Sequence, residues 1–88
     1  MADDASRVQR LRYRAWRRGM RECDLVLGAF ADDRLARMNP AGLDAFEALM
    51  EAPDDQLWTW ILGSAEPDPA FAGPMLDAVI AFGRERLT

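Results

Sequence analysis

The sequence predicts an all-α protein, a compact bundle of five helices forming a single domain over residues 1–88 with an ordered core at about 6–87. Three observations carry that expectation. Apolar residues recur at i, i+3, i+4 and i+7 in successive segments. No segment alternates with period 2, and β-branched residues are sparse. Gly and Pro divide the chain into short helical lengths with connections of a few residues, which favours antiparallel neighbours. At 88 residues there is material for one hydrophobic core and not two.

Ser6 reads as the N-cap of the first helix, with Asp3 and Asp4 just ahead of it where negative charge suits the helix dipole. Val8, Leu11 and Ala15 follow at helical spacing, so this helix is expected over roughly 6–18, and Gly19 is the first residue able to stop it. Cys23, Val26, Leu27 and Phe30 repeat the same stripe, so a second helix starts within a residue or two of Gly19. Gly28 lies inside it at a cost of about 1 kcal/mol relative to Ala, which points either to a close helix contact or to simple tolerance.

Asn39-Pro40 is the clearest start signal, because Asn caps orphan amides while Pro at the first helical position gives up no hydrogen bond. Leu43, Phe46, Leu49 and Met50 form the buried stripe of that third helix, and Pro53 ends it. Asp54-Asp55 is expected to supply the next cap and an acidic first turn for a short helix through Leu57, Trp58, Trp60, Ile61 and Leu62, with Gly63 as its stop. Residues 64–73 contain Pro67 and Pro69 and read as a loop. Pro74 opens a last helix carrying Leu76, Val79, Ile80 and Leu87. Phe30, Phe46, Trp58, Trp60, Phe71 and Phe82 are the large side chains expected in the core.

Composition disfavours an enzyme. Half of the residues are apolar and 30% are charged, the balance of a folded domain. There is no histidine, hence no imidazole base or metal ligand, and one cysteine, Cys23, hence no internal disulfide. Structural zinc is excluded. The acidic pairs Asp32-Asp33 and Asp54-Asp55 lack the twelve-residue calcium-loop pattern and read as solvated helix-end acids. A nucleophile would have to be Cys23, Ser6, Ser64, Thr59 or Thr88, with no imidazole to activate it, and Cys23 belongs to an apolar stripe. No glycine-rich phosphate loop is present. No apolar run approaches the roughly 20 residues that span a bilayer, and the N-terminus lacks an apolar signal core, so a cytoplasmic protein without membrane association is expected.

The net charge of −4 hides an asymmetry. Residues 1–22 hold seven arginines (Arg7, Arg10, Arg12, Arg14, Arg17, Arg18, Arg21) against Asp3, Asp4 and Glu22, a balance of +4, whereas the remainder stands at −8. Every basic residue is Arg, which offers planar forks to carboxylates or phosphates. Nucleic acid is disfavoured, because the rest of the chain would repel a polyanion and the pI is near 4.7. The arginine-rich segment is therefore a solvated helix face or a protein-binding one. At its end Gly19 permits close backbone approach or a positive φ. Arg18 and Arg21 could pair with Glu22 and Asp24 across the corner.

The run Arg18-Gly19-Met20-Arg21-Glu22-Cys23-Asp24 resembles the RGxxE signature, often extended as RGMxExD, of the SdhE-type succinate dehydrogenase assembly factors. Arg10, Leu11 and Tyr13 fit that family's first helix, Leu57-Trp58-Thr59-Trp60 resembles its Leu-x-x-Trp segment, and the similarity runs from about Ser6 to Leu87. The resemblance implies a five-helix, monomeric, non-enzymatic factor of the bacterial cytoplasm. Such factors bind the flavoprotein subunit of succinate dehydrogenase, and in some bacteria that of fumarate reductase, and promote covalent attachment of FAD to it, binding no cofactor themselves. It places partner binding at Arg18, Gly19 and Glu22, with Asp24 as an extension and Arg14, Met20 and Arg21 beside them. Trp16 and the density of arginine on helix one have no counterpart in the signature. A different class of function, a small helical adaptor or antitoxin-like module, fits the same composition.

Overall fold

The computed structural model describes the backbone of residues 2–87 and the side chains of residues 5–86. Five helices follow one another: α1 (Ala2–Trp16), α2 (Arg21–Arg34), α3 (Pro40–Leu49), α4 (Asp54–Leu62) and α5 (Pro74–Leu87), with a single 3-10 turn at Leu35–Arg37 between α2 and α3. There is no strand among the described residues. The Cα radius of gyration of 12.2 Å is that of one compact domain of this length.

Several local signals act as the sequence predicts. The Asn39 side chain accepts the Gly42 amide at 2.8 Å with Pro40 at the first helical position. Gly63 adopts φ 78° and closes α4 in the left-handed conformation, and Pro74 opens α5. Residues 64–73 form no helix. Their only anchor of size is Phe71, whose ring lies 5.9 Å from that of Trp60.

Two helix starts differ from expectation. Ser6 is no cap: α1 already runs from Ala2, because nothing in the preceding residues breaks a helix and a serine caps only where the chain actually leaves helical dihedrals. The expected roles of Asp3, Asp4 and Leu87 concern side chains outside the described ones, and Thr88 lies outside the described residues altogether. At α4 the cap position is held by Pro53 and not by an aspartate, leaving Asp54 and Asp55 in the first turn. The 3-10 turn was not predicted. It extends α2 by one tightened turn, with Leu35 buried and the Met38 amide donating to Leu35 O at 3.1 Å.

α2 and α5 lie at the centre, α2 against α1, α4 and α5, and α5 also against α3 and α4. Phe30 joins three of these layers, stacked on Phe46 of α3 at 5.8 Å and edge-on to Phe82 of α5 at 5.5 Å. Phe30, Phe46 and Trp60 are buried as expected; Trp58, Phe71 and Phe82 are half-buried and pack on the outside of the core. The remaining interior is chiefly leucine, from Leu11 of α1 to Leu76 of α5.

The two readings of Gly28 resolve in favour of close contact. A Cβ there would overlap the Trp16 indole, which lies flat over the glycine while its Nε1–H donates to Asp32 at 3.2 Å. Trp16 thus docks the end of α1 onto α2. Gly28→Ala should therefore destabilise the protein by roughly 1–3 kcal/mol through overpacking, although Ala is the better helix former. Urea denaturation of Gly28→Ala in native and Trp16→Ala backgrounds checks this, the penalty shrinking when the indole is removed.

A surface corner built on a buried arginine

α1 stops at Trp16, and the Arg17 amide closes its last turn onto Arg14 O at 3.2 Å. The chain then reverses through Gly19, whose φ of 103° lies where an L side chain is strained. Nothing lies within 4 Å of the place a Gly19 Cβ would occupy. The positive φ is therefore the reason for glycine within this chain, and the space above it is open to an approaching surface. Met20 takes extended dihedrals and caps α2 without using its side chain, and its carbonyl accepts the Asp24 amide at 2.9 Å.

Two carboxylates fix this reversal from behind. Asp24, in the first turn of α2, reaches back to accept the Arg18 amide at 2.8 Å. The Arg18 side chain, 8% exposed, turns away from solvent: its Nε donates to Asp54 at 2.5 Å, Nη1 to the Met50 carbonyl at 2.9 Å and Nη2 to the Ala52 carbonyl at 2.5 Å. The expected guanidinium pairing of Arg18 with Glu22 or Asp24 is absent, because the α3–α4 connection presents an acceptor to each of the three guanidinium nitrogens. Cys23 completes the frame. Its thiol is buried and lies 3.5 Å from the Asp54 carbonyl, and burial, followed by the Asp54 charge, pushes it up to about 11.

The other sequence-designated residues divide by the same logic. Gly19, Arg21 and Glu22 are exposed, and neither Arg21 nor Glu22 enters an ion pair among the described residues. Met20 is half-buried against the core. Leu25, 51% exposed, stands one turn beyond Arg21 on the same side of α2. Arg14 is engaged within the protein, by Glu51 at 2.7 Å. It is not alone: Arg7 binds Asp44 at 2.6 Å and Glu47 at 2.7 Å, and Arg12 binds Asp32 at 2.8 Å. The arginine-rich helix is thus largely answered by acids of α2, α3 and the turn after α3. Arg10 and Arg21 stay outside these pairs, and Arg17 sits 4.6 Å above the exposed Tyr13 ring.

Sequence reasoning missed Asp54 as a member of this corner. Its only local signal was an acidic first turn, and the partner that uses it lies 36 positions earlier. The two carbonyls that complete the fork leave no trace in side-chain identity.

A family model described as "Flavinator of succinate dehydrogenase", Sdh5, matches residues 9–82. The "FAD assembly factor SdhE" of Aliivibrio fischeri is 33% identical over 73 residues, 83% of this chain and 85% of that protein. The protein of the same name from Acetobacter pasteurianus is 33% identical over 82 residues, 93% of this chain and 75% of its own length. "Succinate dehydrogenase assembly factor 2, mitochondrial" of Dictyostelium discoideum is 32% identical over 81 residues, 88% of this chain and 57% of that protein. No solved structure matches.

The Cys23 environment gives a testable pH dependence. A thiol ordinarily near 9 that is held to about 11 in the fold favours the native state while neutral, so its contribution is intact below pH 9 and falls away between about 9 and 11. Native protein at pH 8 should resist iodoacetamide and react fully in denaturant, with mass spectrometry as the readout. Cys23→Ala should lose less stability than the native protein between pH 9 and 11.

Proposed function

Because the chain belongs to the Sdh5 family, the flavinators of succinate dehydrogenase, we propose that it binds the flavoprotein subunit of succinate dehydrogenase through the Gly19 corner and promotes covalent attachment of FAD to that subunit. One observation carries the assignment of the surface: Gly19 is exposed with open space above it and uncommitted Arg21 and Glu22 beside it. A partner backbone can approach the glycine closely, and the two charges can form charge-assisted hydrogen bonds that need not be taken from an existing ion pair.

In this reading the factor acts as a monomer and carries no FAD, and the reacting groups belong to the flavin and its host. What this chain contributes is a rigid surface. Held against the flavoprotein, it favours the arrangement in which acceptor and flavin are aligned, a gain of preorganisation. Arg10 and Arg17, with Tyr13, extend the contact along α1 toward acidic residues of the partner. The chemistry proposed here makes the factor an assembly chaperone.

Coexpression with the flavoprotein subunit, followed by in-gel flavin fluorescence after denaturation, checks the proposal. Gly19→Arg should abolish covalent flavin while the purified variant remains helical. Gly19→Ala shares the backbone strain without the bulk and should retain more activity. Undiminished flavin with Gly19→Arg refutes the contact. Glu22→Ala should weaken binding by about 2–5 kcal/mol if its charge pair is buried in the complex. Running the fumarate reductase flavoprotein in parallel decides whether the same corner serves both.

A further inference from the structure

Arg18 opens the family signature, yet the structure leaves its side chain little to offer a partner. Its guanidinium is held on one edge by Asp54 and on the others by the carbonyls of Met50 and Ala52, with the Met50 sulfur 3.4 Å from Nη1. To reach outward it would have to strand a half-buried carboxylate and two carbonyls of the α3–α4 turn without donors. The backbone of the same residue is fixed independently, since its amide donates to Asp24. Arg18 is therefore clamped at both ends, and the next residue is the exposed Gly19 at its positive φ.

We infer that Asp54, acting through Arg18, is a positioning residue for partner binding: it sets the placement of the Gly19 corner from the far side of the α3–α4 turn without touching the partner. The inference rests on the reading of that corner as the contact surface. The geometry explains why the fork must be arginine. Three acceptors at different edges require a planar donor with several N–H groups, and an ammonium can satisfy only part of the set. It also ties the placement of α4 to the corner, because Asp54 is the first residue of that helix and its carbonyl also faces the Cys23 thiol of α2.

The test begins with native protein, so that it does not depend on a variant folding. In 15N-labelled protein titrated with unlabelled flavoprotein subunit, the Arg18 Nε–H should remain slowly exchanging and unshifted while the Gly19, Arg21 and Glu22 amides move. A shifted or newly exposed Arg18 Nε–H overturns the inference. Asp54→Asn should then weaken affinity by about tenfold or more, yet flavinylation should recover to the native rate at saturating factor, since a displaced corner binds worse but makes the same contact once driven on. Introduced into Arg18→Lys, Asp54→Asn should add less than about twofold, because both act on one device. Full additivity, or native affinity for Asp54→Asn, overturns the proposal; if Asp54→Asn does not fold, the titration of native protein decides alone. Gly19→Arg in the same binding assay separates the two levels. If it binds normally the contact reading itself falls, and if it fails while Asp54→Asn binds normally only the present inference does.

Discussion

A guanidinium whose three nitrogens each donate to a separate acceptor behaves as a bracket, and the corner of this protein hangs on such a bracket. Arg18 has left solvent, and its charge is tolerated because Asp54 neutralises it and two carbonyls take its other donors. Removing Asp54 would leave the enclosed Arg18 charge without its counter-ion, whereas Asp54, 26% exposed, would still reach water if Arg18 were removed. Helix ends that are otherwise unrelated thereby become coupled: the end of α1, the start of α2, the end of α3 and the start of α4 meet at one residue, through its amide and its side chain. The positive φ of Gly19 and the extended Met20 are the residual freedom of a chain already pinned on both sides.

The charge distribution acquires a different meaning once folded. In the linear chain the N-terminal segment is a basic block facing an acidic remainder, and it reads either as a solvated face or as a positive surface offered to a partner. Folding lays α1 beside α2 and α3, so Arg7, Arg12 and Arg14 find their acids within the molecule. These exposed pairs add little stability individually. Their larger effect is to subtract charge from the surface, leaving Arg10, Arg17 and Arg21 as the cations of the α1 side and Glu22 as the carboxylate at the corner. In the proposed contact, specificity then rests on a few charges around an open glycine.

Legibility follows the range of the interactions involved. Asn39-Pro40 and Gly63 were readable because a cap and a left-handed stop are completed by atoms within four residues. The buried stripes were readable because helical periodicity requires only that a core exist. Ser6 misled because a capping preference competes with simple continuation of the helix, and here continuation won. Gly28 was readable as a cost with two explanations, close contact or tolerance, and the choice between them needed the indole that rests on it from another helix. The site shows the same division. The signature pointed to Gly19 and Glu22, with Arg21 lying between them, and these are exposed; Asp54 and the two carbonyls behind them carried no such signal.

By itself, then, the sequence determined the helices, the single small core, the family and the position of the corner along the chain, all of them set by local dihedral preference, hydrophobic period or a contiguous motif. The tertiary structure alone decided which arginines remain available and which way Arg18 points. Those outcomes depend on acceptors brought within hydrogen-bonding distance from as far as 36 residues away, and a charge's availability is fixed by what the fold places beside it.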